Sequence, residues 1–165
     1  MSTDIPPLAL AFLHQTQAAA KNRIRSQKAA QEGNTEAALL FQALAEAQDV
    51  HSKKTLLFLR GRVQSTAGNL AESLQEAREL AVELLEATIL SQAEGDQAGS
   101  ALLTQMAKSL ASHLALPCTP CGETQHIYIC AICGHIHVGG SADDKPGRCP
   151  VCQAVPDKFA EVAAA

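Results

Sequence analysis

The sequence predicts a mainly α protein: a four-helix bundle with a small metal module at its C-terminal end. Three observations predict it. Four long stretches of helix-forming residues are separated by glycine followed by a polar residue, the joins between most of them are short, and two CxxC pairs crowd into residues 130–152 of a chain that has no cysteine before Cys118.

The first helix is predicted from about Pro7 to Glu32, ended by Gly33 and restarted by Asn34 and Thr35. The second runs from about Thr35 to Arg60, the third from Asn69 after Gly68 to about Gln92, and the fourth from Asp96 after Gly95 to about Leu114. A C-terminal glycine followed by a polar N-cap is the expected punctuation between helices. At 1.5 Å per residue, such helices are roughly 30–40 Å long, and short joins make them antiparallel neighbours.

Composition excludes several classes. The 165 residues carry a net charge of −4, and the 13 Lys and Arg are scattered, so there is no basic footprint for nucleic acid. The set KNRIRSQK at 21–28 reads as a solvated helix face. No apolar run approaches the roughly 18 residues that span a bilayer, and no basic-apolar-small leader is visible, so no membrane partner and a cytoplasmic location are expected. In a reducing compartment, six cysteines in three CxxC pairs point to metal or redox chemistry rather than a disulfide frame.

The apolar phases place polar groups on inward lines. On helix one, Leu8, Phe12, Gln15, Ala19 and Asn22 share a face. On helix two, Phe41, Leu44, Gln48, His51, Thr55 and Phe58 do so, and on helix four Leu102, Met106, Ser109 and His113. A lone polar residue there is normally a hydrogen-bonded core group, but a set recurring near one level suggests a site. His14 is expected to point outward.

The module is the most specific signal. Cys130 with Cys133, and Cys149 with Cys152, form two tight turns whose backbone N–H groups point at sulfur and converge four thiolates on one tetrahedral ion. Iron and zinc use the same four ligands, and zinc would serve only to staple a segment lacking its own core. Cys118 and Cys121, in LPCTPCGE, lack the strand and helix that surround a thioredoxin-like site. His126, His135 and His137 read as surface histidines, the last two close enough to Cys133 to tune its hydration.

The stretches HQTQAAAKNRI (14–24), LFQALAEAQDVHSKKTLLFL (40–59) and NLAESLQEAREL (69–80), together with the cysteine module, resemble rubrerythrin. The resemblance implies a ferritin-like four-helix bundle over 1–116, a linker over 117–126 and a rubredoxin-like domain over 127–165. In that family glutamates and ExxH motifs of the bundle hold two irons that reduce hydrogen peroxide. Carried over residue by residue, Gln15 stands where helix one should offer a glutamate and Gln48 where the ExxH of helix two should begin, while His51 keeps its place. Ser109 and Ser112 stand for glutamates on helix four, and His113 matches the family histidine.

Helix three allows two registers. One turns Glu76 and Glu79 inward, where with His51 and His113 they could hold a single metal, assisted by Asp49 or Glu46 if helix two were rotated. The other turns Ala77 and Leu80 inward. Leu70, Leu74, Ala77, Leu80, Ala81 and Leu84 form an apolar stripe opposite Glu72, Glu76, Glu79, Glu83 and Glu86, which favours the second register. Paired irons need anionic ligands, which Gln and Ser do not supply, so the di-iron site is expected to be lost and replaced by a polar network.

The expected function is one-electron transfer through a rubredoxin-type iron centre at Cys130, Cys133, Cys149 and Cys152. A redox partner protein and a homodimer are implied by the resemblance. The alternatives are a peroxide reductase with a rebuilt bundle site, leaving the catalytic residues unassigned, and a zinc-stapled interaction scaffold.

Overall fold

The computed structural model describes residues 5–60, 63–114, 116, 126–141 and 144–163. Among these lie four long helices, α1 (Pro7–Gln31), α2 (Thr35–Arg60), α3 (Thr66–Ala93) and α4 (Gln97–His113), followed by strands β1 (His126–Cys130), β2 (Ile136–Gly139) and β3 (Phe159–Glu161). The chain forms two compact units, residues 1–64 and 65–165. The first is the α1/α2 hairpin; the second joins the α3/α4 hairpin to the strands.

Both hairpins turn by the same device. Gly33 and Gly95 sit at φ +77° and +78°, where a Cβ would be strained. Around Gly33, its own N–H donates to Ala30 O (3.0 Å) and Asn34 N–H to Ala29 O (2.9 Å); Gly95 and Asp96 donate likewise to Gln92 O (3.1 Å) and Ser91 O (3.0 Å). This pattern satisfies the last carbonyls of the outgoing helix. The next residue then starts the following one: Asn34 Oδ1 accepts from Ala37 N–H at 3.0 Å and Asp96 Oδ1 from Gly99 N–H at 2.9 Å.

Helix α3 begins earlier than its sequence punctuation suggests. Ser65 is the cap, accepting from Gly68 N–H at 3.3 Å, so Gly68 lies within the first turn and Asn69 is already helical.

Small side chains make the helix seams. In the first unit Ala19, Asn22, Ala29, Ala45 and Ser52 are buried, and on α3 and α4 the buried residues are Thr88, Ser91, Ala107 and Ser109. The inward line of α2 therefore departs in part from the expected one: Phe41, Gln48 and Thr55 are half-buried as expected, but Leu44, His51 and Phe58 give way to Ala45 and Ser52. Ala45 and Ser52 are buried while Leu44, His51 and Phe58 are exposed, Phe58 by 83%. Alanine and serine let two helix backbones approach closely, which is why they and not the larger neighbours occupy the contact. On α4, Leu102 and Met106 of the expected line are likewise exposed, whereas Ser109 of that line is buried beside Ala107 and His113 is half-buried.

The strands form one antiparallel sheet in the order β2-β1-β3. Tyr128 of β1 pairs with His137 and Glu161, and Cys130 with Phe159. Beneath the sheet lies a buried cluster of Tyr128, Cys130, Cys149 and Phe159, with Cys133, Val151, Cys152 and Ala154 packed against it. Half of this small core is cysteine.

Candidate metal centre

Two six-residue turns carry the thiols, CAICGH (130–135) and CPVCQA (149–154), and their hydrogen bonds correspond one for one. Cys130 N–H donates to His135 O (2.9 Å) and Gly134 N–H to Cys130 O (2.9 Å); Cys149 N–H donates to Ala154 O (2.9 Å) and Gln153 N–H to Cys149 O (2.9 Å). The residue after the second cysteine is left-handed in each turn, Gly134 at φ +75° and Gln153 at φ +61°.

This geometry turns backbone N–H groups onto sulfur. Cys130 Sγ receives those of Ile132 and Cys133, Cys133 Sγ that of His135, and Cys152 Sγ that of Ala154. The four Sγ atoms lie within 4.8 Å of one another, with Cys130–Cys152 at 3.6 Å and Cys133–Cys149 at 3.5 Å. Metal–sulfur bonds of about 2.3 Å in a tetrahedron place sulfurs roughly 3.8 Å apart, so the four thiols already stand close to the arrangement one ion requires. Sulfur pairs this far apart are not disulfides, which bond at about 2.05 Å.

Burial and hydrogen bonding divide the thiols. Burial raises Cys130, but the N–H groups of Ile132 and Cys133, together with the neighbouring Cys152 and Cys133 thiols, outweigh it and bring it down to about 7. Burial pushes Cys133 and Cys152 upward against the single backbone N–H that each receives.

Residues 128–160 match the family described as "Rubrerythrin, rubredoxin-like domain". The C-terminal module is a rubredoxin-like domain of rubrerythrin type. Among solved structures the chain is similar to nigerythrin in a mixed-valence state, at 20% identity and a TM-score of 0.52, covering 98% of this chain and 89% of that one. Nigerythrin in a partially reduced state also matches, at 19% identity and a TM-score of 0.48 over the same shares of the two chains. No curated protein sequence matches. The fold is thus the mainly α, rubrerythrin-type one: four helices followed by the rubredoxin-like module.

Within neither unit do the helix candidates form a metal-ligating cluster among the described residues. Half-buried Gln48 accepts through Oε1 from buried Asn22 Nδ2 at 3.0 Å, and Asn22 Oδ1 accepts from Arg25 Nη1 at 2.9 Å. Beside them Arg23 pairs with Asp49. Gln15 is half-buried on α1, His14 and Glu46 are exposed, and so is His51 on α2. On α3, Glu76 and Glu79 are exposed, Ala77 is half-buried and Leu80 is 46% exposed. Glu79 Oε1 accepts from Gln75 Nε2 at 2.8 Å.

Helix α4 instead meets the first cysteine turn. Ser112 Oγ donates to Ser109 O (2.5 Å) and lies 2.8 Å from His135 Nδ1; His113 Nε2 is 2.9 Å from Gly134 O. Ser112 has already spent its proton on a carbonyl, so His135 Nδ1–H is the donor there. A carbonyl only accepts, so His113 Nε2–H donates to Gly134. His135 is therefore not a surface histidine: it is 8% exposed, and burial first, then the neighbouring His137 and His113, lower its pKa.

Of the other histidines, half-buried His137 donates through Nε2 to Asp144 O at 2.9 Å, and His126 pairs with Glu161 at 2.5 Å. Cys118 and Cys121 lie outside the described residues. Sequence reasoning missed Arg148, whose Nη1 donates to Gln153 O at 3.2 Å, and the left-handed Gln153. The repeat of CAICGH in CPVCQA was the signal available for Gln153; nothing in the pattern marks Arg148.

Proposed function

We propose that the protein is a one-electron carrier whose centre is iron held by Cys130, Cys133, Cys149 and Cys152. The observation that carries the reading is the convergence of four thiols, each turn aiming backbone N–H groups at sulfur, in a rubredoxin-like domain. When bound, iron supplies a one-electron couple there. The chain's own part is to hold the four sulfurs in one geometry for both charge states, so that little rearrangement accompanies transfer. The N–H groups stabilise the negative charge on sulfur, and the Tyr128–Phe159 core keeps water from one side.

In this reading the bundle has no di-iron site, because Gln15, Gln48, Ser109 and Ser112 bring no anionic charge where two metal ions would need it. Electrons pass to a redox partner protein, the protein acts as a homodimer in the cytoplasm, and peroxide turnover is weak or absent. Among the described residues no helix is long and apolar enough to cross a membrane.

Metal analysis and visible spectroscopy of protein purified from its own host test this. One iron per chain, with a colour that bleaches under dithionite, is expected. A colourless protein holding one zinc overturns it in favour of a stapled scaffold, and two or three irons with peroxide turnover restore the peroxidase.

A further inference from the structure

The two cysteine turns share a second correspondence that lies outside the ligands. In the first, His113 Nε2–H donates to Gly134 O at 2.9 Å, and the same peptide unit's N–H, that of His135, points at Cys133 Sγ. In the second, Arg148 Nη1 donates to Gln153 O at 3.2 Å, and that peptide's N–H, that of Ala154, points at Cys152 Sγ. A side-chain donor therefore sits on the far side of each peptide that contacts the outer thiol of its turn. The arrangement does not follow from the turn itself, since one donor comes from helix α4 and the other from the residue before Cys149.

We propose that His113 and Arg148 are positioning residues that raise the reduction potential of the four-cysteine centre by polarising the Gly134–His135 and Gln153–Ala154 peptides. Hydrogen bonds in series strengthen one another: a donor at the carbonyl draws electron density through the amide and makes its N–H a better donor to sulfur, by roughly 10–30% per bond. Hydrogen bonds to charged acceptors are the strong class. Reduction adds one electron to the centre and no proton to these peptides, so the sulfurs become more negative and a stronger N–H stabilises the reduced state more than the oxidised one. Potentials of such centres respond to hydrogen bonds at sulfur. This inference rests on the electron-carrier reading for its biological meaning, but its physical content holds for iron placed in the site by reconstitution.

The experiment uses the full chain, reconstituted with ferrous iron and titrated against mediators with dithionite as reductant. His113→Leu and Arg148→Met remove each donor while keeping bulk. Each is expected to shift the redox equilibrium toward the oxidised form by about twofold to fivefold, which is ~20 to ~40 mV downward at 59 mV per decade. Their effects should add, since they act on different sulfurs. His113→Gln and Arg148→Lys, which keep an N–H donor, should restore most of the shift.

A second readout needs no iron. In the zinc-loaded full chain, the amide proton of His135 should move upfield in His113→Leu, and that of Ala154 in Arg148→Met, each leaving the other unmoved. Unchanged potentials in both variants overturn the proposal, as does a lowered potential with an unmoved amide resonance, which would mean a route other than the peptide. Because Arg148→Met does not touch α4, loss of folding in His113→Leu leaves the proposal open to refutation. A host protein that carries zinc would refute the electron-carrier reading while leaving both readouts intact.

Discussion

The buried amide of Asn22 donates to the side-chain oxygen of Gln48 across 3.0 Å, linking α1 to α2 at the position where the family resemblance calls for a metal-binding glutamate. Asn22 is only 5% exposed, so its donor has no ready recourse to water. Gln48→Leu should leave that N–H unsatisfied and cost about 1–3 kcal/mol, read as a lower denaturant midpoint with an unchanged slope. Gln48→Glu keeps an acceptor and should cost less. Metal analysis of Gln48→Glu should still give one ion per chain, because a single restored carboxylate does not balance two cations.

The module should depend on its ion more than on its apolar contacts. Cys149 is fully buried within the cluster that also holds Tyr128 and Phe159, and the cluster has few other large side chains. Binding free energy at such a site is folding free energy. Cys149→Ser, or removal of metal by a chelator, should therefore unfold the module while the far-UV helical signal largely persists. Tyr128 is the only tyrosine in a chain without tryptophan, so tyrosine fluorescence and the tyrosine band of the near-UV circular dichroism report on the module alone. A tyrosine signal indifferent to metal removal would refute this dependence.

Metal uptake should be steeply pH-dependent. Burial holds the Cys133 and Cys152 thiols above their ordinary value, so in the metal-free chain both are protonated at neutral pH and must lose protons to bind. Each proton displaced weakens apparent affinity tenfold per pH unit of acidification, giving at least a hundredfold per unit from these two. Cys130, brought down to about 7, adds a further proton only at and below that pH. Competition for zinc against a chelator between pH 6 and pH 8.5 should show a slope that steepens on the acid side of 7. A slope of less than two protons at pH 8 would sink the assignment.

Much of this architecture was legible in the sequence, and what was not has a physical reason. The helix ends at Gly33 and Gly95 follow from local chemistry, since left-handed glycine and a polar cap act within a few residues. The four cysteines were equally legible because the CxxC spacing itself builds the turn. The face of α2 was legible only in part: periodicity puts Phe41, Gln48 and Thr55 inward, where they are half-buried, but it adds Leu44, His51 and Phe58, whereas the α1 contact selects Ala45 and Ser52 by how close two backbones can come. The engagement of His113 with Gly134 was out of reach for the same reason. Joining α4 to a turn some twenty residues onward is a tertiary event that no local pattern encodes.

The left-handed residue of each cysteine turn offers a final prediction. Gly134 at φ +75° is unstrained, whereas Gln153 at φ +61° carries a Cβ in a conformation that costs about 1–2 kcal/mol for an ordinary residue. Gln153→Gly should relieve that strain, less the greater freedom it gives the unfolded chain, for a net gain of up to about 1 kcal/mol. Gly134→Ala should do the reverse. Its new Cβ would also stand 3.8 Å from Ser109 Oγ, a tolerable contact, so the loss would come from the backbone rather than from a clash. Because the two turns share their hydrogen bonds, the paired variants compare strain at one structural position in two sequences. The check is the chelator concentration that releases half the zinc: higher for Gln153→Gly than for the unaltered protein, and lower for Gly134→Ala. Equal responses would mean that strain at this position does not feed into the metal site.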